Sequence, residues 1–336
     1  MSASGGTRAV VMALAANLGI ATTKFVAFAF TGSSSMLAEA VHSVADTGNQ
    51  GLLLLGGRRA RKQRDREHPF GYGSERYFYA FVVSLVLFTV GGVFALFEGV
   101  TKIAHPHHVD HAVIAVVVLV VAVGLESLSF RTAVIESSKI KGVQSWVSFV
   151  RRTKNPELPV VLLEDTAALF GLTFALAGVG LSALTGNPRW DGAGTLAIGA
   201  LLVTVAIVLS IETKSLLIGE SATPEIERRI ADALTAGPEV LAVIHMRTLH
   251  LSPDELLVAA KIAVAHDDTA ADVARGIDAA ERRVRAAVEM ARVIYLEPDL
   301  ARPATILGGA ALNQQGAALN EQGNEAQVTH EQGDIR

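Results

Sequence analysis

The sequence has 336 residues, of which 50% are hydrophobic and 18% are charged, and its mean hydropathy is positive. Soluble domains usually carry about 25% charged residues, so the composition argues against a single soluble domain. The absence of cysteine excludes disulfides, thiolate metal ligands and a cysteine nucleophile. The formal net charge of −4 is modest and does not indicate a nucleic-acid partner.

Six long apolar segments follow one another through the first two thirds of the chain: residues 9–30, 34–57, 77–101, 111–135, 158–182 and 193–211. Each reaches or approaches the roughly 20 residues that cross a bilayer as a helix. The first segment has no small-residue cleavage pattern after a short apolar core, so we expect a retained span and not a signal peptide. The pattern predicts a polytopic α-helical membrane domain with six transmembrane helices over residues 1–215.

The charges of the loops orient these spans. Residues 58–76 contain seven Lys and Arg and residues 137–157 contain five, whereas the loops on the opposite side contribute only Lys102 and Arg189. Basic loops remain in the cytoplasm, so both termini are predicted to be cytoplasmic. The composition is rich in Ala, Val and Gly and has more Arg than Lys, which favours a bacterial source and hence the cell (inner) membrane.

After Glu220 the composition becomes that of a soluble domain, and we predict a C-terminal cytoplasmic domain over residues 216–300. Helical and alternating patterns succeed one another in the order αββαβ, at residues 223–236, 240–251, 255–265, 269–290 and 291–298. That order predicts a small α+β ferredoxin-like sandwich. Residues 301–336 repeat NQQG, NEQG and HEQG and are predicted to form a disordered low-complexity tail.

The second span carries a polar stripe. Ser35, Glu39, His42, Asp46 and Asn49 are spaced by 4, 3, 4 and 3 residues, which places them along one face of a helix. His42 and Asp46 are one turn apart and can chelate one ion. A stripe that only packs against other helices through hydrogen bonds is the alternative. Ionisable groups inside a membrane cost several kcal/mol and usually mark an ion path, so we predict an ion site.

One helix cannot complete such a site, because a divalent ion such as zinc takes about four N or O ligands. The fifth span supplies adjacent carboxylates, Glu164 and Asp165. Neighbours on a helix point about 100° apart, so we expect one of them to face the ion while the other is peripheral or serves a second arrangement. An acidic pair at the start of a helix is the alternative, since Glu157 and Pro159 lie just upstream.

The runs NLGIATTKFVAFAFTGSSSMLAEAVHSVADTGNQ and HPFGYGSERYFYAF, followed by EDTAALFG and a soluble domain that ends in YLEP, carry a specific resemblance. They resemble the cation diffusion facilitator (CDF) family of divalent-metal transporters, and within it the zinc-transporter-nine-like branch. The resemblance covers roughly residues 8–300 and implies six spans, a transport site between spans two and five, and a homodimer.

By this resemblance, His42, Asp46 and Asp165 match the family's transport ligands. Val161 stands where the common pattern has His or Asp, so Glu164, Glu39 or water must supply the fourth ligand. A His with carboxylates suits zinc, whereas an oxygen-rich set also suits manganese, iron or cobalt. No resident cofactor is expected, because the metal would be cargo.

Other histidines and charges are open to two interpretations. Asp65 and His68 match two ligand positions of a second family site, but Tyr72 occupies the third, and HPFGYG also reads as a turn that starts a helix. The loop at residues 104–111 contains four His and an Asp that either catch metal or are merely exposed. For the soluble-domain histidines we favour structural or exposed roles: His245, His250 and His266. For the single charges in the spans, Lys24, Glu98 and Glu126, we favour inter-helix ion pairs or snorkelling at helix ends.

The sequence therefore predicts a secondary transporter and not an enzyme: efflux of a divalent cation, exchanged for protons by alternating access. His42, Asp46 and Asp165 must be deprotonated to bind metal, so binding releases protons. A membrane metalloenzyme such as an intramembrane protease is disfavoured, because the chain has no HExxH and no GxSx pattern in a span. A non-transporting membrane scaffold that senses metal through its soluble domain is the other alternative.

Overall fold

The computed structural model describes residues 3–300 of the chain, with side chains from Asn17 onward. These residues form two compact units, one ending at Ile218 and the other beginning at Gly219. The predicted tail at residues 301–336 lies outside the described residues.

The first unit is entirely helical. Its helices are α1 (Ala3–Thr31), α2 (Ser34–Arg59), α3 (Glu75–Val86), α4 (Phe94–Ala104), α5 (Ala112–Lys141), α6 (Trp146–Arg152), α7 (Glu157–Thr185) and α8 (Arg189–Ile218). A π-helical segment, Leu87–Val93, joins α3 to α4 without a break, so the two form one 30-residue helix.

Among residues 17–300, four helices are long and apolar enough to cross a membrane: the joined α3–α4, α5, α7 and α8, each of 29 or 30 residues. At 1.5 Å per residue they extend about 45 Å, more than the roughly 30 Å hydrocarbon core of a bilayer. The predicted multi-pass helical membrane domain is confirmed. Helices α1 and α2 have 29 and 26 residues, but the polar stripe lowers the hydropathy of α2, so the count of six spans stays a prediction.

Helix α8 packs closely on both α4 and α7 because glycines line its contacts. A Cβ atom at Gly199 would lie 2.7 Å from the backbone nitrogen of Leu96, and one at Gly194 would lie 2.8 Å from the carbonyl oxygen of Phe174. Small residues let helix backbones approach closely inside a membrane. The three helices therefore form a tightly packed frame, against which α2 and α5 also pack through α7.

The second unit contains α9 (Pro224–Thr235), β1 (Ala242–Ser252), β2 (Glu255–Val264), α10 (Ala270–Ala287) and β3 (Ala291–Leu300). Strand β2 is central, antiparallel to β1 and parallel to β3. Helix α10 makes the crossover between the parallel strands and begins with a capping box of Thr269 and Asp272. The predicted αββαβ order is confirmed; it is the ferredoxin-like pattern without its first strand.

Candidate cation site

The start of α2 is anchored by Asp191, the third residue of α8. The carboxylate of Asp191 accepts hydrogen bonds from the Ser33 hydroxyl at 2.8 Å and from the backbone nitrogens of Ser34 and Ser35 at 2.8 and 3.3 Å. The ammonium of Lys102 lies 3.7 Å from it, and both side chains are buried. A negative charge at a helix N-terminus is favourable, so this contact fixes the helix that carries the polar stripe.

Sequence reasoning did not identify Asp191 as a site residue. The signal was present in the run of three serines at the start of the second span, because serine is a preferred N-cap residue and the first turn of a helix leaves backbone donors free for an acidic partner. Nothing local, however, pairs that run with an aspartate more than 150 residues further along the chain.

His42 and Asp46 form the centre of the stripe. His42 is 1% exposed, and its Nδ1 lies 3.4 Å from Oδ1 of Asp46. Three atoms of this pair have no hydrogen-bond partner among the side chains that the structure describes: both ring nitrogens of His42 and Oδ1 of Asp46. Buried polar atoms without partners are costly, so this pair is suited to receive a cation.

The two adjacent carboxylates of α7 point to different helices, as the predicted 100° separation requires. Oε1 of Glu164 accepts a hydrogen bond from the Asn49 amide of α2 at 2.7 Å. Oδ2 of Asp165 accepts one from the Ser129 hydroxyl of α5 at 3.1 Å. Both carboxylates are largely buried, which argues against an interfacial pair at the start of the helix.

Glu39 has a partner of its own. Its Oε2 atom lies 3.0 Å from the ammonium of Lys24, which also donates to the Ser43 hydroxyl at 2.8 Å. Lys24 and Glu39 are 1% and 0% exposed. The interpretation of Lys24 as one half of an inter-helix ion pair is therefore confirmed. The charge of Glu39, a candidate ligand by sequence, is balanced by Lys24 of α1.

The site residues of α2 and α7 are close enough for Asp46 to interact electrostatically with both Glu164 and Asp165. Within residues 17–300, however, no group of three or more His, Asp or Glu side chains is placed so that it could hold a metal ion. Val161 packs against an apolar cluster with Phe149 and Leu162 and offers no ligand. The exact ligand set thus stays a prediction.

Asp65 and His68, the predicted second site, belong to a hydrogen-bonded loop. Oδ2 of Asp65 accepts from the Tyr72 hydroxyl at 2.6 Å and from Lys62 at 3.2 Å, while Oδ1 accepts from the backbone nitrogens of Glu67 and His68 at 3.1 and 2.8 Å. The hydrogen bonds from Tyr72 and from the His68 backbone hold the pKa of Asp65 well below its usual range. Because both oxygens are engaged, the geometry favours a loop brace, and metal binding there stays a prediction.

Replacing Asp65 with asparagine should loosen this loop. The depressed pKa means that the brace is complete above about pH 4, the ordinary pKa of aspartate, and weakens only in stronger acid. At pH 8, Asp65→Asn should therefore make trypsin cleave after the basic residues of 58–66 several-fold faster than in the wild type. Glu67→Gln, which changes a side chain without a role in the brace, is the matched control. Equal cleavage rates for Asp65→Asn and the control would contradict the brace.

The other predicted histidines have separate surroundings. Nε2 of His107 lies 3.2 Å from the carbonyl oxygen of Gly32, which also accepts from Lys102 at 3.1 Å. The loop at residues 104–111 thus contacts the turn between α1 and α2. His250 of the second unit is buried and His266 is exposed. No metal-holding group of three is found near either in the part of the chain with described side chains.

A family model described as the cation efflux transmembrane domain matches residues 10–218. The human protein named proton-coupled zinc antiporter SLC30A9, mitochondrial, is 34% identical over 231 residues, which cover 68% of this chain and 40% of that protein. Metal tolerance protein C4 of Arabidopsis thaliana is 33% identical over 217 residues, or 64% of this chain and 47% of that one. The chain therefore spans less than half the length of these two relatives.

The cation-efflux pump FieF of Klebsiella pneumoniae is similar over a larger part of its own length. It is 26% identical over 251 residues, which cover 75% of this chain and 79% of the pump.

Proposed function

The chain belongs to the cation efflux family, whose transmembrane domain it carries at residues 10–218, and from that premise we propose that it exports divalent metal cations from the cytoplasm in exchange for protons. Zinc is the proposed cargo, in keeping with the name of the human relative. Efflux of manganese, iron or cobalt by the same mechanism is the alternative, because the site is rich in carboxylate oxygens.

The observation that carries the proposal is the buried His42 ring, whose nitrogens have no hydrogen-bond partner among the described side chains. It lies beside Asp46 on a helix that contacts Glu164 of α7 through Asn49. Imidazole nitrogen together with carboxylate oxygen is a donor set that zinc accepts. We propose His42, Asp46 and Asp165 as ligands, with Glu164 adjacent, and Glu39 as the counter-charge of Lys24.

Proton exchange follows from the chemistry of these ligands. Imidazole and carboxylate groups bind a metal ion only when deprotonated, so binding on the less acidic side releases protons. Protonation of His42 and Asp46 on the more acidic side then competes with the ion and expels it. The ion and the protons stabilise different conformations, and alternation between them moves each across the membrane.

We also propose a location and an orientation for the transporter. The two basic loops support cytoplasmic N- and C-termini, and the composition supports a bacterial inner membrane. We propose that the chain forms a homodimer through its C-terminal unit.

A second candidate function is a membrane scaffold that binds metal without transporting it. The apolar environment of Val161, where a ligand is missing, favours this candidate.

The test uses purified full-length protein in liposomes with an acidic interior that contains a zinc-sensitive dye and a pH dye. Zinc uptake accompanied by alkalinisation of the lumen is the expected result, with protein-free liposomes as the control. Repeating the assay with manganese, iron and cobalt identifies the cargo. Metal binding without flux of any of the four ions would reject transport and support the scaffold.

A further inference from the structure

Glu126 is an ionisable residue at the middle of α5, 14 residues after Ala112 and 15 before Lys141. It is half-buried, and it makes no hydrogen bond or ion pair with any other residue that the structure describes. A charged group at mid-membrane is expensive and marks a functional site by default. Its sequence-based interpretation, a structural ion pair or a helix-end group, does not fit this position.

The face of α5 that carries Glu126 is turned towards α7. Ser129 lies three residues further along α5 and donates its hydroxyl hydrogen to Asp165 at 3.1 Å. Residues three apart on a helix are neighbours on the same face. Glu126 therefore stands one turn along α5 from the contact with Asp165, on the side of the helix that packs on α7.

The charges around Glu126 are predominantly negative. Its carboxylate interacts electrostatically with Asp46, Asp165 and Glu39. The cation within this group is Lys24, and Lys24 is already paired with Glu39. Four carboxylates against one ammonium, in a medium of low dielectric constant, attract a cation strongly.

Three carboxylates of this site are hydrogen-bonded, whereas Glu126, like Oδ1 of Asp46, has no hydrogen-bond partner among the described residues. Glu39 is paired with Lys24, Glu164 accepts from Asn49, and Asp165 accepts from Ser129. Independently, the His42 ring of the same site is buried and lacks a hydrogen-bond partner among the described side chains. Helix α2 thus presents an imidazole without a hydrogen-bond partner, and α5 presents a carboxylate without one.

We propose that Glu126 is a cation-binding residue of this site, which supplies with His42, Asp46 and Asp165 the ligand that the apolar Val161 cannot. This inference rests on the proposed function and extends its site from two helices to three. Val161 and Phe130 of α5 both pack against one buried apolar cluster, so the missing ligand is replaced from the neighbouring helix and not from α7.

The test measures zinc and manganese binding to the full-length protein in nanodiscs by isothermal titration calorimetry. Glu126→Gln keeps the shape of the side chain and removes its charge, and we expect zinc affinity to fall by at least about 10-fold, the lower end of what loss of a metal-supporting group costs. Glu136→Gln on the same helix removes an exposed carboxylate that pairs with Lys139 and should leave the affinity unchanged.

A second variant separates ligation from charge balance. Glu126→His places an imidazole, a good zinc ligand but a poor manganese ligand, at the same position. A ligand role predicts that zinc binding survives in Glu126→His while manganese binding is lost, a change of preference that a structural role would not produce. Loss of both metals in a variant that elutes as folded protein would overturn the proposal.

The two proposals fail in different ways. Unchanged zinc affinity and uptake in Glu126→Gln would reject the role of Glu126 and leave the proposed transport intact. Wild-type protein that binds no divalent cation would reject the transport function and, with it, the role of Glu126.

Discussion

Replacing Asp46 with asparagine is expected to abolish cation uptake, with a loss of at least about 100-fold, because even groups that only support a ligand cost 10–100-fold when removed. Asparagine has nearly the same shape but cannot neutralise a divalent ion. His42, whose Nδ1 lies 3.4 Å from Asp46, would then remain as the sole ligand contributed by α2. Uptake is measured in the acidic-lumen liposomes and in liposomes whose external pH equals that of the lumen, so that no proton gradient exists.

The stability of the same variant distinguishes a lost ligand from a damaged fold. Asp46 has Glu164, Glu126 and Asp165 as like-charged neighbours, and removing one of several close carboxylates relieves repulsion. We therefore expect Asp46→Asn to unfold at the same temperature as the wild type or at a higher one, although it does not transport. Asp267→Asn makes the same chemical change at an exposed position of the second unit and should affect neither property. Normal uptake by Asp46→Asn would reject the site.

Replacing Lys24 with methionine is expected to lower the free energy of unfolding by about 3–5 kcal/mol, the cost of breaking a buried ion pair from one side. The substitution removes an ammonium that donates to both Glu39 and Ser43 and leaves the buried Glu39 carboxylate without a counter-charge. The measurement is thermal or detergent-induced unfolding of the purified protein. Lys139→Met breaks the exposed pair with Glu136 and, as a surface pair, should cost only about 0–1 kcal/mol.

The double variant Lys24→Met with Glu39→Leu is expected to recover most of that stability, because apolar residues of similar volume replace a buried pair without leaving a charge. The same protein tests the role of Glu39. If Glu39 only balances Lys24, zinc binding survives in the double variant; if Glu39 is a ligand, zinc binding is lost although stability returns. A Lys24→Met protein as stable as the wild type would contradict the importance of the pair.

Several features of the fold followed from local patterns. The spacing of Glu39, His42 and Asn49 predicted one face of a helix, and all three are buried, whereas Val44 between them is exposed. The αββαβ order of the second unit was also predicted, because alternating and helical periods report the buried face of each element in turn. A local pattern is enough in these cases, because the residues of each element themselves determine which of its faces is buried.

The partners of the membrane residues could not be predicted in the same way. Glu39 is a candidate ligand by sequence because it lies in the polar stripe, and nothing near it in the sequence indicates that Lys24 of α1 would reach it. Asp191 was not considered at all, although it fixes the start of α2. Glu126 was interpreted as a single structural charge, because its relation to the site depends on how α5 is rotated against α7, which is seen in the contact between Ser129 and Asp165.

The sequence by itself determined the class of protein, the helices, the polar stripe and the acidic pair of α7, because hydropathy and periodicity are properties of single segments. Only the tertiary structure decided that Glu164 turns to α2, that Asp165 turns to α5 and that Lys24 neutralises Glu39. The physical reason is that helix neighbours and rotations are set by close backbone packing, as at Gly199 against Leu96. Such packing joins residues far apart in the chain.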